Sequence, residues 1–259
     1  MATKYPIILA HGIALKDYKF FKAFGRIERV LSENGYTVCT STTDGFGSIE
    51  NNAAQLKAQI EQILERENAE KVNIIAHSKG GLDTRYMIDA LSMGEKVASV
   101  TFLCTPHKGS QIATKLYALP KWIRNPLAWW LNFWYRVFGD KQPDALTVCK
   151  QLAASDGDLL GESAANDGIF MQSYSTVLKK SRDDFVMGIP LQFSRRFEKD
   201  FSDGMVSVES SKFAQYRGHC TEQSISHSEI VDFMANKKEK EKIYAFYLGL
   251  CNDLAERGL

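Results

Sequence analysis

The sequence predicts an α/β fold: a mostly parallel sheet with helices on both faces and an inserted helical segment. Three observations carry that expectation. Apolar runs rich in β-branched residues alternate with helical patterns through roughly the first hundred positions. One run, Val72-Asn73-Ile74-Ile75, passes through Ala76-His77-Ser78-Lys79-Gly80-Gly81 into a helical pattern, which makes a strand, a sharp turn with a central serine, and a helix. The segment 116–138 then breaks the alternation with a dense aromatic run that has no strand period.

Composition limits the function classes. The 259 residues, 44% hydrophobic and 24% charged, suit one domain over 1–259. A net charge of +1 gives the whole chain no electrostatic attraction to nucleic acid or to an anionic membrane. Cys39, Cys104, Cys149, Cys220 and Cys251 are scattered, without metal-ligand spacing or a disulfide framework. Cys39 and Cys104 fall in predicted strands, as small buried hydrophobes. No cofactor and no metal site is expected. The first residues run straight into a strand with no signal-peptide pattern, so the sequence as it stands reads as cytoplasmic, or as secreted if a leader has been removed. No run is long and apolar enough to span a bilayer.

In order, 5–10 is an apolar strand, and His11-Gly12-Ile13 after it is either an oxyanion-hole loop with the Ile13 N–H as donor or a plain turn. Phe20, Phe24, Ile27 and Leu31 recur at helical spacing and stop at Gly35. A strand over 36–40 follows, then a loop at 44–48. Ala53, Leu56, Ile60, Ile63 and Leu64 mark one face of a second helix. The serine turn and its helix lead to a strand at 97–104, and Thr105-Pro106-His107-Lys108-Gly109-Ser110 extends beyond its carboxyl end, where ligands bind in open parallel sheets. A cap or lid insertion is expected over about 111–182. Within it Trp129, Trp130, Phe133 and Trp134 sit on a helix that is apolar almost all round, read as a lid or acyl-pocket wall or else as a helix packed into the core. Strands are expected at 185–193 and 211–216, and an amphipathic helix carrying Ile243, Tyr247 and Leu254 ends the chain.

The serine motif sets the search for partners. A serine hydroxyl becomes nucleophilic when a histidine takes its proton and a carboxylate orients that histidine. In α/β-hydrolases the chain order is serine, acid, histidine. Asp203, after the 185–193 strand, and His227, before the last helix, fit that order with Ser78. His219 is the reserve base and Asp167 the reserve acid. His77 precedes the serine on the turn, so its side chain is expected to diverge from it. His107 is read as a loop or pocket histidine.

The residues 5–12, 72–78, Gly80-Gly81, 97–101 and 106–110 resemble the bacterial true lipases of Pseudomonas type, a triacylglycerol lipase family of the α/β-hydrolase superfamily. The Pro106-His107-Lys108-Gly109-Ser110 block is the most specific part of the match. The resemblance implies an α/β-hydrolase fold with a helical lid, and carboxylic-ester hydrolysis by Ser78, Asp203 and His227. It also implies an oxyanion hole formed by the N–H groups of Ile13 and Lys79. Ala76 replaces the first glycine of the usual serine motif. Family members also bind a structural calcium near the histidine. Glu229 stands at one ligand position, but Phe233 stands where a glutamine ligand would be, so calcium is not expected. Acyl transfer to another acceptor, thioester hydrolysis, and non-catalytic binding on the same scaffold remain the alternatives. The implied partner is a small-molecule or lipid ester, with lipid contact through the lid and no nucleic acid.

Overall fold

A computed structural model describes residues 2–13, 22–153, 168–184, 186–195 and 201–259. Among the described residues, six parallel strands form one sheet in the order β2-β1-β3-β4-β5-β6. The chain runs β1 (Ile7–Ala10), α1 (Ile27–Glu33), β2 (Val38–Thr40), α2 (Ile49–Glu67), β3 (Val72–His77), α3 (Lys79–Ala90) and β4 (Val97–Leu103). The described residues then form α4 (Gln111–Tyr117), α5 (Lys121–Val137) and α6 (Ala145–Ala153), and β5 (Phe170–Val177). The remainder is α7 (Gly188–Ser194), α8 (Val208–Ser211), β6 (Gln215–Ser224) and α9 (Lys237–Glu256). The parallel sheet read from the early alternation is what the chain forms, in the α/β-hydrolase fold that the resemblance implies.

Alternate residues of the central strands face opposite sides of the sheet, so each strand feeds two cores. Ile7, Leu9 and Ile75 pack with Ile27 and Leu31 of α1 and with Ile243, Tyr247 and Leu254 of α9. Ile8, Ala10, Ile74 and Ala76 pack on the other face with Leu56 and Ile60 of α2 and Met87 and Ile88 of α3. After β1 the chain builds β2 to one side and then returns to place β3 on the other. The sheet order therefore reverses between β1 and β3, where such sheets open a crevice at the carboxyl ends of the strands. His11-Gly12-Ile13 and Ser78 leave the sheet at that crevice.

Three expectations need correction. The insertion is shorter than 111–182, because β5 inside that range is a full member of the sheet, paired with β4 and β6. Its Gln172, Ser173, Ser175 and Thr176 are buried, which hides it from a search for apolar runs. Side-chain hydrogen bonds offset the cost of that burial: Gln172 Nε2 donates to Thr101 Oγ1 at 3.0 Å and Ser173 Oγ to the Phe213 carbonyl at 2.6 Å. The segment expected as a strand at 185–193 instead carries α7, with Pro190 in its first turn, where the missing N–H costs nothing. The last strand is β6, and the segment expected at 211–216 straddles the end of α8 and the start of β6. Phe20 and Asp167 lie outside the described residues. All five cysteines are free, and Cys39 is half-buried where full burial was expected.

Candidate active site

Ser78 sits between β3 and α3 with φ 54° and ψ −131°, a region costly for a residue with a Cβ. Its N–H is held by the Leu103 carbonyl of β4 at 2.9 Å, and its carbonyl accepts from Gly81 N–H at 3.0 Å. The small residues around it are required by close approach. A Cβ at Gly12 would lie 2.7 Å from Ser78 Cβ, and one at Gly80 would lie 2.5 Å from the carbonyl oxygens of Ala10 and His11. Lys79 is the first residue of α3, so its N–H has no carbonyl one turn earlier to pair with.

Asp203 occupies a tight turn closed by a bridge between Ser202 and Ser207, with Gly204 at φ 108°. Its carboxylate is almost fully buried, yet well served by donors. Oδ1 accepts from the N–H groups of Met205 at 2.9 Å and Val206 at 2.8 Å, and Oδ2 accepts from His227 Nδ1 at 2.7 Å. A carboxylate can only accept there, so the proton lies on Nδ1 and leaves Nε2 free to accept. Ser78 Oγ lies 2.9 Å from that Nε2. The three side chains thus form one hydrogen-bonded line, although they come from 78, 203 and 227. His219 lies elsewhere: it is on β6 rather than beyond it, and its Nδ1 meets Ser175 Oγ at 2.7 Å.

Several residues that hold this line were not visible as such in the sequence. The His77 ring, expected to diverge from the serine, meets His227 instead. It packs against the His227 ring with centroids 4.6 Å apart, and its Nε2 donates to the His227 carbonyl at 3.0 Å. Burial and the adjacent His227 depress its pKa well below the ordinary value. Cys104, buried with φ 51°, places its thiol within 4.8 Å of the Asp203 and His227 ligand atoms. Among the described residues this trio has the proximity of a metal site, but Asp203 is already saturated by N–H donors and burial holds the thiol protonated. Glu229 is buried, and its carboxylate accepts from the Ser226 N–H at 2.8 Å.

The Pro106–Ser110 block supports the acid loop. Ser110 Oγ donates to the Met205 carbonyl at 2.9 Å, and Ser210 Oγ donates to the Gly109 carbonyl at 2.6 Å. His107 stacks on Phe213 at 4.4 Å and lies 3.3 Å from Arg85 Nη1, which fits a loop histidine. Burial, with Arg85 and Lys108 close by, lowers its pKa well below 6.5. His77 and His107 are therefore neutral in the fold and protonate more readily when unfolded. Their contribution to stability is full above about pH 6.5 and is lost progressively as pH falls below it. Each should steepen the acid side of the stability curve by about 1 kcal/mol per pH unit. His107→Gln is expected to flatten that slope in melts between pH 7 and pH 5 (roughly the window set by the histidine reference value). An unchanged slope would show that His107 does not titrate on unfolding.

Behind Ser78 lies a polar anchor. The Lys79 ammonium is fully buried and paired with Asp83 at 2.7 Å. Burial raises the Asp83 carboxyl to about 6, against the opposing pull of Lys79. Asp83 also accepts from Asn52, which donates to the Asp44 carbonyl. The Asp44 carboxylate accepts from the N–H groups of Lys141 and Gln142, and Asp140 accepts from those of Gly45 and Phe46. The root of α5 is thereby tied to the nucleophile turn.

A cavity of about 210 Å³, mostly apolar, is lined by Ile13, His77, Met187, His227, Val231 and Phe233 among others. Trp129, Trp130, Phe133 and Trp134 do not line it. They lie exposed on α5, so the expected acyl-pocket wall is not built from them here.

Known proteins share this fold. A family model described as Palmitoyl protein thioesterase matches residues 6–150, more than half of the chain. The chain belongs to the palmitoyl protein thioesterase family. Triacylglycerol lipase 2 of Saccharomyces cerevisiae is 28% identical to this family member over 251 residues, 90% of the chain and 73% of the yeast protein. The triacylglycerol lipase of Pseudarthrobacter phenanthrenivorans is 41% identical over 119 residues, 43% of the chain. That match takes in only 36% of the bacterial enzyme. Mature Bacillus licheniformis lipase BlEst2 superposes with a TM-score of 0.66 at 18% identity, over 96% of this chain and 92% of its own. The resemblance to bacterial lipases read from the sequence is borne out by these matches.

Proposed function

We propose that this family member is a serine ester hydrolase of lipase or esterase type, with Ser78 as nucleophile, His227 as general base and acid, and Asp203 as the orienting carboxylate. The observation that carries the reading is His227, bridging Ser78 Oγ at 2.9 Å and Asp203 Oδ2 at 2.7 Å. Ser78 Oγ attacks the ester carbonyl carbon while its proton passes to Nε2. Asp203 stabilises the imidazolium so formed. The N–H groups of Lys79 and Ile13 hold the oxyanion, each worth about 3 kcal/mol of barrier in comparable sites. Nε2 returns the proton to the departing alcohol. Water, deprotonated by the same nitrogen, then releases the acid and restores Ser78. The relatives named as triacylglycerol lipases support a lipid ester as substrate, as does the apolar cavity beside His227.

The family description supports a second reading, a thioester with the same acyl group. Both pass through one acyl-enzyme and differ only in the leaving group. A serine-reactive phosphonate is expected to label the wild type and not Ser78→Ala; labelling of neither would remove the hydrolase reading. The oxyester and thioester of a single acyl chain, compared by kcat/KM, then choose between the two. We expect faster turnover of the oxyester, rising with acyl length. Cleavage of the thioester alone would move the assignment to thioesterase.

A further inference from the structure

Helix α3 begins in a way that its own stability does not explain. Its first residue is Lys79, and its first turn holds no acid. A cation at that end of a helix opposes the macrodipole. Asp83 stands four residues later, which reverses the favourable acid-then-base order of such pairs. Both side chains are also withdrawn from water, Lys79 completely and Asp83 to 1% exposure. The desolvation of two charges commonly outweighs their attraction, and apolar side chains of similar volume are often as stable or more so. The Asp83 carboxyl reflects that balance, since burial raises it to about 6 despite the ammonium 2.7 Å away.

What the pair does fix is position. Lys79 Nζ donates to Asp83 Oδ1, and Asp83 Oδ2 accepts from Asn52 Nδ2 of α2 at 3.2 Å. The same Nδ2 donates to the Asp44 carbonyl at 2.7 Å. The Lys79 side chain is thereby tied to a second helix and to the loop after β2. The peptide between Ser78 and Lys79 is held at its other end as well. Its carbonyl, that of Ser78, accepts the Gly81 N–H at 3.0 Å. In a planar trans peptide the Lys79 N–H then points the opposite way. The carbonyl contact sets the tilt of that peptide, and the buried ammonium sets where the Lys79 Cα stands.

We propose that the buried Lys79–Asp83 pair positions the oxyanion hole, holding the Lys79 N–H in line with Ser78, with Asp83 as the positioning residue. The inference rests on the hydrolase reading, because a developing oxyanion is what gives that N–H a task. Asp83 acts through Lys79 alone, so its effect belongs to the transition state, where negative charge builds on the substrate oxygen.

The test uses the full chain and a soluble ester. Asp83→Asn keeps the shape of the side chain and removes its charge. It is expected to lower kcat about tenfold and to leave KM within about twofold, since the contact it disturbs forms in the transition state. Lys79→Met with Asp83→Leu removes both charges together. That double variant is expected to melt at or above the wild-type temperature, yet to lose about 10²-fold in kcat. A trifluoromethyl ketone forms an anionic tetrahedral adduct on an active serine. Its affinity for both variants should weaken by the same factor as kcat/KM. Leu254→Ala, in the core face of α9, is the control: it should lower the melting temperature through a cavity and leave kcat unchanged in the folded protein. Recovery of melting temperature and kcat together in the double variant would make the pair purely structural and overturn the proposal. So would a folded Asp83→Asn with wild-type kcat, or a loss that lies in KM. If the double variant does not fold, the isosteric Asp83→Asn decides alone. Phosphonate labelling of the wild type reads the hydrolase assignment separately: a labelled wild type with unimpaired variants removes the positioning role and leaves the hydrolase.

Discussion

His227→Ala is expected to lower kcat on a soluble ester by about 10⁶, the scale on which removing one member of such a unit acts. His219→Ala should leave kcat close to wild type, because that ring, on β6, is spent on Ser175 of β5. Asp203→Asn should cost about 10⁴. An amide turned to accept from Nδ1 cannot stabilise the imidazolium, and one turned to donate forces the proton onto Nε2, where it blocks transfer from Ser78. The double variant Ser78→Ala/His227→Ala should be no slower than either single variant, since the two act as one unit. Steady-state rates with burst analysis would measure all four. A large loss in His219→Ala with little in His227→Ala would place the base on β6 and break the geometry drawn here.

That assignment was legible because its three parts are each marked by local chemistry. The serine motif sits where an apolar run rich in β-branched residues gives way to a helical pattern. Asp203 precedes a glycine that adopts φ 108°, and His227 precedes the last amphipathic helix. What the sequence did not show depends on which strands become neighbours. His77 supports His227, and Cys104 lies beside Asp203, only because β3 and β4 lie side by side and the 203 and 227 loops meet at their ends. No periodicity records that. β5 was missed because its buried positions are serine, threonine and glutamine, whose cost is met by partners distant in sequence. The aromatic run was legible as a helix and as apolar. Which way it faced depended on Asn132, Tyr135 and Asp140 finding partners on α6 and the 44–46 loop.

Gly80→Ala tests the nucleophile turn from the structural side. The added methyl would lie 2.5 Å from two backbone carbonyl oxygens, those of Ala10 and His11, at the end of β1. Backbone at the sheet centre cannot retreat as the end of a flexible side chain can, so α3 has to move instead. That movement carries the Lys79 N–H and Ser78 with it, and it strains the buried Lys79–Asp83 pair. A stability loss of about 3 kcal/mol is expected from forced repacking. A further fall of about 10² in kcat is expected in the protein that still folds, the usual cost of an ångström's misplacement at a reacting centre. Gly249→Ala is the contrasting case. Its Cβ would meet nothing within 4 Å, in the interior of α9. The gain in helix propensity should therefore raise stability by about 0.5–1 kcal/mol, with activity unchanged. Denaturant melts and phosphonate labelling rates on the two variants separate the demands of the turn from those of helix formation. If Gly80→Ala melts and labels like the wild type, α3 does not approach β1 as closely as described. The close approach assigned to Ser78, Gly12 and Lys79 would then have to be given up as well.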